Sequence, residues 1–521
     1  MKGNWDEDKT EMKIKFEHIY IIVFIAVAYF LLSAMNGDYL FAIQENSVFI
    51  SGRTFMEDVV SDPHGGWLAW MACYLTQFFY YPWLGSSILI AVWVVTYWLL
   101  LRTFSLRGKW SFLALLPTLF LLFQLLDYGY WIYYTKTIGY AFRGTLLLFG
   151  IACVAWVATE VLRRLCAKRW RKGYSYIGFA VCFILGTLTS GGWYLNDHQS
   201  EIGITLKDRN FKHELRMYRA IDEFRYEDAI KEMQTGDGEP TNLMVLLKNI
   251  ALMHTGRMTE IFTTNNCGIV PNTGDSLKIR ISQLAAPLVY YQFGQMNYAY
   301  FWAMSNGVTY GQSFRNLKMM VRSSIFSGDF DVAKKYVAML KTSMFYDDWA
   351  REHEEWIYNS TKFVQSIDNQ YIGLLVNDDV DMLDNDNGLC EKYIIDHFSD
   401  LVHPATPMLE DVIMCMSLWA KDEYAFSIHF YNYVQRHPNV AIPTLYQEGA
   451  ILLCNSERSP IELNNFPFDK MVTDKFNRFV QDYNTLSQQN VGDAEMAKRM
   501  KTLYGGTYWW YYYFYDNFNI Y

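Results

Sequence analysis

Ile19–Met35 reads IYIIVFIAVAYFLLSAM, without a single charge, and is as long as the roughly 17–25 apolar residues that carry a helix across a bilayer. Trp83–Leu101, Trp110–Leu126 and Tyr174–Trp193 are also free of charge, and so is the shorter Gly144–Ala158. To reach spanning length the last must take in Glu160, a carboxylate that a membrane tolerates at its boundary with water. The first run has no small-x-small cleavage site and other runs follow it, so it reads as a retained helix and not a signal peptide. Pro117 falls inside the third run and predicts a kink there, because proline has no N–H for the helical ladder.

Basic residues set the orientation. Lys2, Lys9, Lys13 and Lys15 precede the first run; Arg102, Arg107 and Lys109 follow the second; Arg163, Arg164, Lys168, Arg169, Arg171 and Lys172 follow the fourth. The alternate connections hold only Arg53, Lys136 and Arg143. Since Lys and Arg stay on the cytoplasmic side, the N-terminus is expected in the cytoplasm. With five spans, everything after Trp193 is expected outside.

Composition divides at the same point. Residues 1–193 carry 16 Lys+Arg against 12 Asp+Glu, whereas residues 194–521 carry 29 against 42, a net charge of −13. So acidic a segment argues against a nucleic-acid partner, which needs a cationic surface. The expected layout is a cytoplasmic N-terminus at 1–18, a transmembrane domain at 19–193 with an outer loop and interfacial helix at 36–82, a helical domain at 194–440, and a C-terminal cap at 441–521.

That outer domain carries a recurring turn. Phe224-Arg-Tyr-Glu-Asp-Ala229, Gly256-Arg-Met-Thr-Glu-Ile261, Gly294-Gln-Met-Asn-Tyr-Ala299, Gly328-Asp-Phe-Asp-Val-Ala333 and Ala420-Lys-Asp-Glu-Tyr-Ala425 share one pattern, the first four starting 32, 38 and 34 residues apart. Glycine permits a tight interhelical turn, and a small residue five positions on lets the second helix approach the first. This period and pattern resemble the tetratricopeptide repeat, best in Asn316–Thr342. The resemblance implies a TPR-like solenoid with a concave surface for a protein or peptide; joined to the apolar runs, the expected fold is all-α, a five-span transmembrane bundle followed by that solenoid. The first-helix Trp-x-x-Leu-Gly of that family is missing, and Phe224 and Ile261 depart from its Gly and Ala. A non-repeating helical domain is the alternative reading.

Metal and redox chemistry find little footing. Cys73, Cys153, Cys166 and Cys182 lie in or beside the runs, and Cys267, Cys390, Cys415 and Cys454 are scattered with no CxxC; their spacing favours unpaired packing cysteines. No HExxH occurs. Asn377–Gly388 (NDDVDMLDNDNG) resembles a calcium loop until Gly388 is set at the sixth position, which puts Leu383 where the first ligand belongs. No cofactor and no metal are expected.

The chain end, Gly505–Tyr521 (GGTYWWYYYFYDNFNIY), is densely aromatic. It can close the last repeat as a cap, lie at the membrane boundary or stack on sugars. The first connection offers the most suggestive chemistry. It contains Asn36-Gly-Asp38, Gln44-Glu45, Asp58 and Ser61-Asp-Pro-His64-Gly-Gly66, then the apolar Trp67–Tyr80, expected to form an interfacial or re-entrant helix ending at Pro82. An acidic residue just past the first span and a helix on the membrane resemble the polytopic glycosyltransferases that use lipid-phosphate sugars. That resemblance implies Asp38 as general base or metal-positioning group, with Glu45 and His64 as companions and a lipid-linked glycan as substrate. Otherwise Asp38, Glu45 and Asp62 cap helices and His64 shapes a turn.

From Phe55 to Gly85, and in the join of spans to a helical domain, the chain also resembles a family of polytopic membrane proteins of Bacteroidota to which no activity attaches. The resemblance implies an inner membrane and a periplasmic C-terminal domain. The expected function is a membrane-held scaffold or binding protein in cell-envelope assembly, with the transferase as the alternative.

Overall fold

The computed structural model describes residues 16–62, 65–127, 129–133, 140–165, 210–236, 238–263, 268, 281–376, 407–453, 466–489 and 491–515. Among these the chain is helical and falls into two compact units. The first comprises Met1–Lys207 with the short stretches Gln312–Phe314 and Thr342–Phe345, and the second the remainder.

Four helical stretches of the first unit are long and apolar enough to cross a membrane: Phe16–Ala34, Pro82–Phe104, Gly108–Leu126 and Ala141–Val161. They correspond to the first four apolar runs. The fifth, Tyr174–Trp193, lies outside the described residues. Helix α1 (Phe16–Tyr29) buries Ile21, Phe24 and Ala28, while Ile22, Val23 and Val27 on its other side stay exposed. A helix apolar on both faces suits a solvent of lipid. α1 ends in a π turn, Phe30–Ala34, where Met35 N–H bonds Phe30 O at 3.0 Å and the Asn36 amide donates to Leu31 O.

Where the sequence leaves a loop after the first span, the structure has helices. α2 (Gly37–Glu45) starts at once, α3 (Arg53–Ser61) follows, and α4 (Trp67–Thr76) continues as a 3-10 turn over Gln77–Tyr80. α4 buries Ala69, Ala72, Cys73 and Thr76, positions spaced for one face, and packs on α7 (Tyr140–Leu165). Trp67 and Met71 stand exposed on the opposite face.

α5 (Pro82–Phe104) packs on α7, with the Trp93 indole donating to Thr145 Oγ1 at 3.0 Å. The third stretch changes from a 3-10 helix (Gly108–Leu115) to α6 (Leu116–Leu126) just before Pro117. Thr118 Oγ1 donates to Leu115 O at 2.8 Å. The expected kink is thus a change of helix type, since proline has no N–H to continue the ladder through its own position. Glu160 pairs with Arg164 one turn later on α7.

The second unit is organised by one repeated turn. Five residues adopt a left-handed backbone at the ends of helices: Phe224, Gly256, Gly294, Gly328 and Lys421, with φ of 57, 69, 77, 74 and 58°. At each, the next residue's N–H reaches back five residues, from Arg225 to Ala220, Arg257 to Leu252, Gln295 to Tyr290, Asp329 to Ser324 and Asp422 to Ser417. The left-handed residue's own N–H bonds the carbonyl three back. These are Schellman turns. They close α8 (Asn210–Asp222), α10 (Asn242–His254), α11 (Ile281–Gln292), α13 (Phe314–Phe326) and α18 (Pro407–Ala420).

The helices that follow are α9 (Tyr226–Thr235), α12 (Met296–Tyr310), α14 (Phe330–Leu340) and α19 (Glu423–Arg436). After Gly256 the described residues form a 3-10 turn, Met258–Glu260. The fifth turn corrects the sequence register by one residue. Its left-handed position is Lys421 and not Ala420, so the fully buried residue five on is Phe426.

Three of the first helices of these hairpins, α10, α11 and α13, are covered on nearly all sides. α10 is buried from Leu243 through Met253, and the chain is buried from Leu284 to Met296 and from Ser313 to Ile325. α10 packs against α8, α9, α11 and α18.

The C-terminal part is built from α20 (Thr444–Leu453), α21 (Lys470–Gln488), α22 (Asp493–Tyr504) and α23 (Tyr508–Phe514). Its core joins Ile451, Val472, Phe479, Met496, Met500 and Tyr504 to Trp509 and Trp510 of the aromatic end. Among the described residues Cys73, Cys153 and Cys415 form no disulfide, and the last is buried beside Met258 O; the other cysteines and Asn377–Gly388 lie outside the described residues.

Candidate functional site

Of the three residues singled out in the first connection, Asp38 sits half-buried in the first turn of α2 and Glu45 is buried at its last residue. Seven residues of helix separate them, roughly 10 Å along the axis. His64 lies outside the described residues. Asp38 and Glu45 therefore occupy opposite ends of one helix and do not form a close carboxylate pair.

Next to Glu45 runs a chain of buried polar side chains. The Gln44 amide donates to Gln77 Oε1 at 3.0 Å, the Gln77 amide to Ser47 Oγ at 3.0 Å, and Ser47 Oγ to Gln44 O at 2.8 Å. Each group satisfies the next, so this chain ties α2 to the 3-10 turn after α4. It presents no unpaired nucleophile or base. Among the described residues no three His, Cys, Asp or Glu side chains converge as a metal site.

The second unit holds a denser cluster, centred on Arg322 of α13. The guanidinium donates to Asp222 Oδ1 at 2.6 Å and forms an ion pair with Asp368 Oδ2 at 3.2 Å. Lys318, one turn earlier on α13, donates to Asp222 Oδ2 at 3.2 Å, and the Tyr291 hydroxyl donates to Asp368. Phe224, Tyr291 and Trp349 present ring faces to Arg322 at 5.7, 5.7 and 5.9 Å. Such aromatic walls stabilise a desolvated guanidinium.

The charges balance, which is what allows them to be buried. Burial opposes ionisation of Asp222, but Lys318 and Arg322 outweigh it and hold the carboxyl well below its ordinary range. Asp368 is shifted the other way, burial outweighing Arg322 and the Tyr291 hydrogen bond.

Two histidines border the cluster. His353 on α15 (Asp347–Tyr358) lies between Trp349 and Trp356, 3.6 and 3.9 Å between ring centres, with Nδ1 on Trp349 O. His254 stacks on Tyr226 and meets Gln292 O through Nε2. Burial, then Arg322, pushes His353 far below its ordinary pKa, and burial brings His254 to about 4. Both are neutral near pH 7. Enclosed, they are poorly placed to exchange protons with a substrate. The cluster holds two carboxylates, Asp222 by Arg322 and Lys318 and Asp368 by Arg322 and Tyr291.

Sequence reading missed this cluster because its members come from distant elements. One signal was present: Arg315, Lys318 and Arg322 recur at helical spacing in FRNLKMMVRSSIF, a helix otherwise rich in apolar residues.

Comparison with known proteins returns one family. Its model, described as a family of unknown function (DUF6057), matches residues 10–195 and 174–515. No curated protein and no solved structure matches the chain. The two matched stretches take in both units, and the chain belongs to the family of unknown function DUF6057.

Proposed function

We propose that this chain is a multi-pass inner-membrane protein with five spans, its N-terminus cytoplasmic, and a periplasmic TPR-like domain that binds a protein or peptide in cell-envelope assembly. Four apolar helices, and the Lys and Arg placed at alternate ends of the runs, support the membrane part. The observation that carries the binding reading is the same Schellman turn at five helix ends. Stacked helical hairpins are scaffolds that bind far more often than they catalyse. The buried inner helices argue against an empty groove along them, so recognition falls to outer faces or to pockets that the chain itself fills.

Photocrosslinkers at Tyr358 and Tyr424, 71% and 72% exposed, test this in living cells. The proposal expects a discrete protein adduct from at least one of them and only lipid adducts from Ile22 on α1. Lipid or self-adducts alone from both positions would contradict it.

The lipid-linked sugar transferase remains the second reading, favoured by the π turn immediately before Asp38, since such turns gather at functional sites. The separation of Asp38 from Glu45 leaves Asp38 as its main carrier. Asp38→Asn would then change the pool of lipid-linked glycans; an unchanged pool removes the reading.

A further inference from the structure

The Arg322 pocket is filled by a short segment of the chain itself. α16 (Ser360–Val364) and α17 (Ile367–Ile372) have five and six residues, too few to be stable as isolated helices. Side-chain caps start them: Asn359 Oδ1 accepts from Thr361 and Lys362 N–H, and Ser366 Oγ from Asn369 N–H. The outer side of the segment is solvent-facing, with Val364, Ile367 and Leu374 60%, 48% and 66% exposed.

Its inner side inserts. Asp368 meets Arg322 and Tyr291. Three residues on, Tyr371 lies flat on Phe224 (5.7 Å, 11°) and edge-on to Tyr226 and His254 (5.0 and 5.8 Å). Ile372 and Leu375 are buried, and the Leu375 carbonyl lies so near Gly294 that a Cβ there would sit 2.4 Å from it. The receiving residues come from α9, α10, α11, α13 and the first and third left-handed turns of the array, at Phe224 and Gly294. An acidic anchor and an aromatic anchor on one face of a short helix is how helical peptides dock into grooves.

From this arrangement we infer that the Arg322 pocket is the domain's peptide-recognition site, occupied in cis by Ser366–Val376, and that its partner presents a helical Asp-x-x-Tyr segment which displaces it. The inference rests on the partner-binding reading above and names the partner's chemistry. Arg322 and Tyr291 supply the acid's partners, and the Phe224, Tyr226 and His254 rings supply the aromatic slot. The competing segment keeps the site closed until a better-fitting ligand arrives, which lowers apparent affinity by the fraction of time the pocket is filled.

The test uses the full chain in lipid nanodiscs and a fluorescent peptide, SIDNQYIGLLV, copied from Ser366–Val376. In the Asp368→Asn/Tyr371→Ala variant the cis segment is weakened, and the peptide should bind about tenfold or more tighter than to the wild type. A peptide with Asn for its Asp should bind that variant about tenfold more weakly. Equal, undetectable binding to a variant that still melts cooperatively overturns the inference.

If the variant fails to fold, amide exchange of the wild type decides. Residues 360–376 opening about a hundredfold more often than α13 supports a displaceable segment. Exchange of both only at the global rate overturns it. Peptide failure alongside a discrete crosslinked partner sinks only this inference; peptide binding with no partner in cells counts against the scaffold reading instead.

Discussion

Gly294 and Gly328 share a left-handed backbone, φ 77 and 74°, but not their surroundings. A Cβ on Gly328 meets nothing within 4 Å, whereas one on Gly294 runs into the Leu375 backbone. Gly328→Ala should therefore lose about 1 kcal/mol, the cost of a side chain in the left-handed region, and Gly294→Ala clearly more. Urea melts of the two variants check this; equal losses would mean that Leu375 does not press on Gly294.

Phe224 and Lys421 hold the same conformation without being glycine, because their side chains serve elsewhere. Phe224 stacks on Tyr371 and faces Arg322, and Lys421 Nζ donates to Tyr512 O and Tyr515 O at the end of α23. Lys421→Gly keeps the turn and removes the amine. It should raise proteolytic cutting after the 512–515 end while leaving α18–α19 intact, and unchanged cutting would show that the amine does not hold that end. The glycine turns at Gly256, Gly294 and Gly328 were legible in the sequence. The register of the fifth turn was not, since a lysine in the left-handed region leaves no mark, and neither was the Arg322 cluster, whose partners at 222, 291 and 368 are brought together only by packing.

At the scale of elements, the aromatic end shows how much burial alters a reading. Tyr508, Trp509 and Tyr511 are fully buried and Trp510 nearly so, which withdraws those rings from both bilayer and sugar. Their polar atoms are placed accordingly: the Trp509 indole donates to Glu448 O, the Trp510 indole to Ala497 O and the Tyr511 hydroxyl to Trp419 O. Composition announced an unusual element, but only the neighbouring helices decide that it faces inward.

Glu448 on α20 accepts the Tyr508 N–H at 2.8 Å, and burial, outweighing that bond and Lys475, raises its carboxyl to about 7. Its ordinary value is 4.5. Between these values the folded state holds the proton and the unfolded state has released it, so stability falls as pH rises from about 4.5 to about 7 and is level above. Glu448→Gln, still able to accept from Tyr508, should abolish that slope and gain on the order of 3 kcal/mol over wild type at pH 8. Parallel stability curves for the two proteins from pH 4.5 to 8 would contradict the assignment.

For the molecule as a whole, His254 tilts stability the opposite way. Its pKa falls from 6.5 to about 4 on folding, and His353 shifts in the same direction. The unfolded chain takes up the protons first, so stability present above about pH 6.5 is lost as pH falls toward 4. His254→Gln should flatten this acid limb in thermal melts; an unaltered limb would place the loss elsewhere.

The division into an apolar part and a polar part was legible at this scale, because runs of apolar residues and the placement of Lys and Arg act through composition alone. Contacts inside each unit were not, since they depend on which helix faces meet. The most direct measurement of the central claim is cysteine labelling of intact cells with a membrane-impermeant maleimide. The chain bearing Tyr424→Cys is compared with the unsubstituted chain as the blank. The account predicts labelling in cells whose outer envelope alone is permeable. Labelling only after the inner membrane is opened would place the second unit in the cytoplasm and contradict it.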